Sequence, residues 1–174
     1  MPDRAADVIM LEPPRFIADA MLGSLARKLR IFGFDTLYFK DGDDAELESL
    51  ARKEERVIVT SDLALSRDAG RRGARTLLVR GKTDKARLLS IAEALGPETF
   101  AQKGRRTSSR CALCNGVLEE LGKREARKTP IPARVVARHR LFFRCASCAK
   151  VYWRGKHWDR LRRLSSSLRT KPLT

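Results

Sequence analysis

The chain's four cysteines fall as Cys111-x-x-Cys114 and Cys145-x-x-Cys148, two pairs separated by 30 residues. Thiolates at i and i+3 on a tight turn can both face one tetrahedral ion, and two such turns complete its shell. The spacing predicts one structural zinc ion, with Gly116 serving a turn that bends closely around the metal. Four sulfurs leave no open position for water, which argues against a catalytic zinc. Two disulfides are the rival, disfavoured by the expected cytoplasmic location. A redox pair is weaker still, since neither CxxC opens a helix in a βαβ setting.

The second chemistry-bearing set is acidic: Asp19, the pair Asp43 and Asp44, and Asp62. Clustered carboxylates repel one another unless a hard cation sits among them, and Mg²⁺ or Mn²⁺ prefers such oxygen ligands. Water activated at such an ion can attack a phosphodiester. The same residues stand where helix N-caps are needed, a role that requires no catalysis. Other chemistries find little support. Only two histidines are present, His139 and His157, both in the second half, so a Ser/His/Asp hydrolase would need assembly across the chain. No GxGxxG or GxxxxGK[ST] phosphate loop occurs.

The elements that must position these residues alternate in type over the first hundred positions. Phe16-Ile17-Ala18 reads as a strand ending at Asp19, and Leu22, Leu25, Ala26 and Leu29 mark one helix face, closed by Gly33. Thr36–Phe39 is a second strand. Asp43 and Glu46 form a capping-box pattern ahead of Leu47, Leu50 and Ala51. Val57–Thr60 is a buried strand leading into Ser61-Asp62 and a helix, and Thr76–Val79 is a fourth. Leu88, Ile91, Ala92 and Leu95 form the last helix face before Gly96-Pro97. Strands alternating with helices predict a parallel sheet covered by helices, whose ligands bind at the carboxyl ends of the strands, where the acids fall.

Past residue 100 the composition changes. Residues 1–100 carry 17 Lys+Arg and 17 Asp+Glu, so the whole net charge of +16 lies in 101–174. Such asymmetry marks the second half as the candidate for meeting a polyanion. Residues 1–14 are expected as a flexible N-terminus, 15–100 as the α/β domain, 101–110 as a linker, and 111–169 as a zinc ribbon with a basic C-terminal helix. Val135-Val136-Ala137 and Leu141-Phe142-Phe143 are predicted strands of the ribbon. Trp158, Leu161, Leu164 and Leu168 form a helical stripe, with Arg160, Arg162 and Arg163 off it. Arg27, Lys28 and Arg30 on the first helix could approach a phosphate backbone, or simply be a solvated face. No apolar run is long enough for a membrane span, and no signal-peptide pattern opens the chain, so a cytoplasmic protein with no membrane partner is expected.

The run FIADAMLGSLARKLRIFGFDTLYFKDGDDAELESLARKEERVIVTSDLAL resembles the Mut7-C RNase domain, a branch of the PIN-like nucleases. The end, CALCNG through FFRCASCAKVYWRGKHW, is similar to the zinc ribbon that follows that domain. The resemblance implies a PIN-like three-layer α/β/α domain with a parallel sheet, followed by a small β-rich ribbon and a C-terminal helix. It implies metal-dependent cleavage of RNA, single-stranded or structured, at Asp19, Asp44 and Asp62, with one or two Mg²⁺ or Mn²⁺ ions. Asp43 and Glu46 are secondary acids, and Asp68 is the nearest candidate for a further acid beyond the third. Arg154, His157 and Trp158, with Trp153, suit stacking and phosphate contact on unpaired bases; packing of the ribbon on the nuclease domain is the equal alternative for both tryptophans. Two other readings remain: a non-catalytic module binding ribosomal or transfer RNA, and a protein-interaction adaptor.

Overall fold

Four short apolar strands, each too brief to stand without neighbours, are joined through helices that cover both faces of the resulting sheet. The computed structural model describes residues 13–96, 98–101, 109–155 and 163–164. Strands β1 (Phe16–Ala18), β2 (Thr36–Tyr38), β3 (Val57–Thr60) and β4 (Thr76–Leu78) pair in parallel in the order β2-β1-β3-β4. The crossovers carry α1 (Gly23–Ile31), α2 (Asp44–Lys53) and α3 (Leu63–Arg71). Beyond β4 come α4 (Asp84–Leu95) and the short α5 (Glu98–Ala101).

Alternation along the strands divides the core in two. Phe16, Ala18, Val57 and Val59 meet Leu25, Ala26, Leu29, Leu88, Ile91 and Phe100 from α1, α4 and α5. Ile17 and Ile58 face the other way, onto Leu47, Ala51, Leu65 and Ala69 of α2 and α3. The expected stripe of α1 is the buried one. Gly33, at φ 94°, sits just beyond its end and returns its amide to the Arg30 carbonyl at 2.9 Å. Asp43 and Glu46 make the reciprocal capping box at the start of α2. Because β1 lies between β2 and β3, the chain leaves it to one side and returns on the other. In open α/β sheets the carboxyl ends of strands at such a reversal are where ligands bind.

The second sheet is antiparallel: β5 (Leu118–Leu121), β6 (Phe142–Cys145) and β7 (Val151–Trp153), in the order β5-β6-β7. Between β5 and β6 the chain makes two short helices, α6 (Lys123–Ala126) and α7 (Ala133–Arg138). This corrects the strand expected at Val135-Val136-Ala137. Pro132 sets a φ of −55° at the helix start, and Val136 is buried with Ala126 and Phe142 in a third small core. Two valines favour a strand locally, but the tertiary contact decides. Arg110, assigned to the linker, pairs with Val117 and so already belongs to the ribbon. Residues 1–12 and 102–108, and Trp158, Leu161 and Leu168 of the C-terminal stripe, lie outside the described residues. Leu164 of that stripe packs against the α/β core. No helix among the described residues is long and apolar enough to cross a membrane.

Candidate metal centre and active site

Each CxxC pair closes the same turn. The Cys111 amide donates to the Gly116 carbonyl (2.8 Å) and the Asn115 amide to the Cys111 carbonyl (2.9 Å). The Cys145 amide likewise donates to the Lys150 carbonyl (2.9 Å) and the Ala149 amide to the Cys145 carbonyl (3.0 Å). The residue after each second cysteine takes a left-handed backbone, Asn115 at φ 69° and Ala149 at φ 59°. Gly116 is required by proximity: a Cβ there would lie 2.8 Å from Cys145 Sγ.

The four Sγ atoms lie within 4.8 Å of one another, with Cys111–Cys148 at 3.6 Å and Cys114–Cys145 at 3.4 Å. A tetrahedron of sulfurs around zinc at about 2.3 Å has edges of about 3.8 Å, while a disulfide is about 2.05 Å. All four cysteines are free, and their spacing fits one zinc ion. Burial pushes the Cys111 thiol up, but hydrogen bonds from the Tyr152 hydroxyl (3.0 Å) and the Cys114 and Leu113 amides outweigh it and bring it down to about 6. At Cys114 the Gly116 amide favours the thiolate, but burial and the other three sulfurs push the thiol up to about 12. Four such sulfurs ionise together only around a cation.

This centre is docked onto the amino-terminal end of the parallel sheet. Asn115 accepts from the Thr36 amide (3.0 Å) and donates to Asp35 (2.8 Å). Arg110 pairs with Asp35 at 3.4 Å. Arg30, expected among the phosphate-contacting residues, is 6% exposed and donates to the carbonyls of Thr36, Ala112 and Leu113. Its guanidinium is committed to joining α1 to the first knuckle, which removes it from the nucleic-acid candidates.

The acids sit at the opposite, carboxyl-terminal end of the sheet. Asp19 follows β1 and occupies the cap position of a 3₁₀ turn (Ala20–Leu22), yet its side chain caps nothing there. It accepts instead from the Thr60 hydroxyl at 2.9 Å, and Thr60 in turn accepts from the Asp62 amide at 2.9 Å. Asp62 follows β3 and is a true cap, its Oδ1 taking the Ala64 (2.7 Å) and Leu65 (3.2 Å) amides of α3. Asp43 caps α2, and Asp44 is the first helical residue beyond it. The Asp44 carboxyl is raised by desolvation, then by the negative charges of Asp19, Asp62, Glu48 and Asp43. Glu46 is spent in the capping box.

Asp68 pairs with Arg71 at 3.4 Å. Glu48, which sequence reasoning passed over, is among the charges that raise Asp44. One turn beyond Asp44, it is buried and held by both Arg72 and Arg52. Its i+4 spacing from Asp44 was the available signal. Among the described residues no second group of acidic or histidine ligand atoms gathers as the thiols do.

Of the remaining nucleic-acid candidates, Arg27 and Arg163 are exposed. Arg154 lies over the Phe143 ring at 5.8 Å, while Trp153 is partly exposed at the end of β7. His157, Trp158, Arg160 and Arg162 lie outside the described residues. Compared with known proteins, residues 14–165 match the family model described as the Mut7-C RNAse domain. No curated protein and no solved structure matches.

Proposed function

The chain belongs to the Mut7-C RNAse domain family, and on that premise we propose that it is a ribonuclease dependent on Mg²⁺ or Mn²⁺, with a PIN-like nuclease domain and RNA as its substrate. Placement supports the site: Asp19 and Asp62 directly follow the adjacent strands β1 and β3, Asp44 opens the helix after β2, and its carboxyl is raised by desolvation and then by the charges of the other two. Asp19, Asp44 and Asp62 would hold one or two ions. Hard carboxylate oxygens in a mutually repelling set are the donors such ions prefer. The chemistry such an ion supplies is charge neutralisation and acidification of water, both needed to hydrolyse a phosphodiester. Thr60 fixes the Asp19 carboxylate, and the α3 amides fix that of Asp62, so two of the three acids are oriented before any ligand arrives. Asp43 and Glu46 hold the start of α2 and thereby the position of Asp44. Free thiols grouped for zinc agree with a cytoplasmic setting.

The capping bonds of Asp62 favour a second reading, an RNA-binding module whose acids are structural. Cleavage of end-labelled single-stranded RNA in Mn²⁺ separates the two. Asp19→Asn, Asp44→Asn and Asp62→Asn should each abolish the cleavage seen with wild type. Asn remains a good N-cap at position 62, so the fold is retained. Binding without cleavage in all four proteins would establish the second reading.

A further inference from the structure

Helices α6 and α7 have no counterpart in the chemistry described so far, and the stretch that holds them carries +6 of the chain's net +16. Residues 122–140 hold Lys123, Arg124, Arg127, Lys128, Arg134, Arg138 and Arg140 against the single acid Glu125. The small core beneath the two helices uses Ala126 and Val136 and turns all seven basic residues outward, each exposed. Among the described residues none of the seven takes part in an ion pair. In the α/β domain Lys28, Arg52, Arg56, Arg72 and Arg87 are matched to carboxylates, while Lys53, Arg67 and Arg75 are exposed and, among the described residues, take part in no ion pair. Seven like charges kept without ion-pair partners on two short helices and their flanking turns repel one another, at a cost to stability that a polyanion would remove.

We propose that this helical insert is the main phosphate-binding surface of the protein and that its ligand is the RNA backbone. The proposal takes its ligand from the ribonuclease reading but rests on residues of the ribbon, not on the acids. The β5–β6 register puts Leu118 opposite Cys145 at the metal end, and Leu121 opposite Phe142 at the insert end. The insert thus leaves the ribbon at the end away from the zinc, while the zinc end is the part clamped to the amino-terminal end of the parallel sheet. Seven basic residues spread over residues 122–140 suit an extended polynucleotide, not a mononucleotide or dinucleotide.

The test is binding of a fluorescent single-stranded RNA by the full chain, without Mg²⁺ or Mn²⁺, so that affinity is read whether or not the chain cleaves. One triple variant, Arg124→Ala, Lys128→Ala and Arg134→Ala, removes three insert charges. A second, Lys53→Ala, Arg67→Ala and Arg75→Ala, removes three exposed charges from the α/β domain. Zinc content and circular dichroism confirm that both remain folded. The insert triple should weaken binding at least about tenfold and reduce the slope of log K against log salt by about 2. The second triple should change affinity less than about twofold. Equal losses in both would reduce the effect to bulk charge and overturn the proposal, as would an unchanged insert variant. So would preferential binding of the insert to phosphatidylserine vesicles over RNA. Cleavage lost in the acid-site variants with insert-dependent binding intact leaves the two conclusions separately judged.

Discussion

Thr60 is a single hydroxyl serving two acids 43 residues apart in sequence, donating to Asp19 and accepting from the Asp62 amide. Thr60→Val keeps the β-branched shape but strands that amide, and a loss of about 1–2 kcal/mol in urea denaturation is expected. On the proposed function, calorimetry should also show weaker Mn²⁺ binding; unchanged stability would mean that the hydroxyl does not hold the rim. The motif T-x-D was legible in the sequence, whereas the role of its threonine was not, because the Asp19 partner arrives through strand pairing. Asp35 repeats the lesson. Nothing near it in sequence marks it, yet it receives Arg56 (2.7 Å), Asn115 (2.8 Å) and Arg110 (3.4 Å). Asp35→Asn leaves the buried Arg56 with Glu54 as its one carboxylate partner among the described residues, beside the Phe16 carbonyl. A destabilisation of about 2–3 kcal/mol is expected in thermal or urea unfolding, below the usual cost of a broken buried pair because Glu54 remains.

Among elements, α1 is tied to α4 through Lys28 and Asp84, and α2 to α3 through Glu48 and Arg72. Asp84 is desolvated, but Lys28 and Ser24 overcome this and lower its carboxyl; Arg72, bonded directly, lowers that of Glu48 against weaker desolvation. Asp35 is lowered in the same way by Arg56 and Asn115 despite its burial. A depressed carboxyl contributes stability that is present above the unfolded value near 4 and is lost as pH falls through the folded value. The urea midpoint should therefore drop steadily below about pH 4–5, and Asp84→Asn with Glu48→Gln should flatten that limb. A limb of unchanged steepness would show that these pairs do not couple the helices. The helices themselves were readable from their stripes and caps, with Asp43 and Gly33 in the expected roles. The insert was not, since Val135-Val136 has strand character and only the contact of Val136 with Phe142 makes it helical.

Across the whole molecule, the metal centre and the acid rim occupy opposite ends of one sheet, and the Arg30 and Asn115 hydrogen bonds tie the first directly to it. Zinc occupancy should therefore be felt in the α/β domain. Chelation is expected to lower the melting temperature of the full chain and to speed hydrogen exchange at the Thr36 amide, whose acceptor is Asn115. Exchange at Thr36 that ignores the chelator would mean that the first knuckle holds its shape, and its place on the sheet, without metal. The cysteine spacing disclosed the centre fully; its mooring stayed hidden because Asn115 and Arg30 look like ordinary surface residues until the tertiary structure brings them together.

Asn115 is followed by Gly116, the pairing in which a side-chain amide is most readily attacked by the next main-chain nitrogen to leave an aspartate. Here that amide is held at both ends, by the Thr36 amide and by Asp35, on a left-handed backbone. The mooring thus also protects against chemical ageing. Protein stored with zinc should keep its asparagine, while protein stored with a chelator should accumulate aspartate at position 115, detectable by peptide mass spectrometry. Because an aspartate would face Asp35 with a like charge, that damage would prevent redocking, and a transient loss of metal would be recorded permanently in the chain.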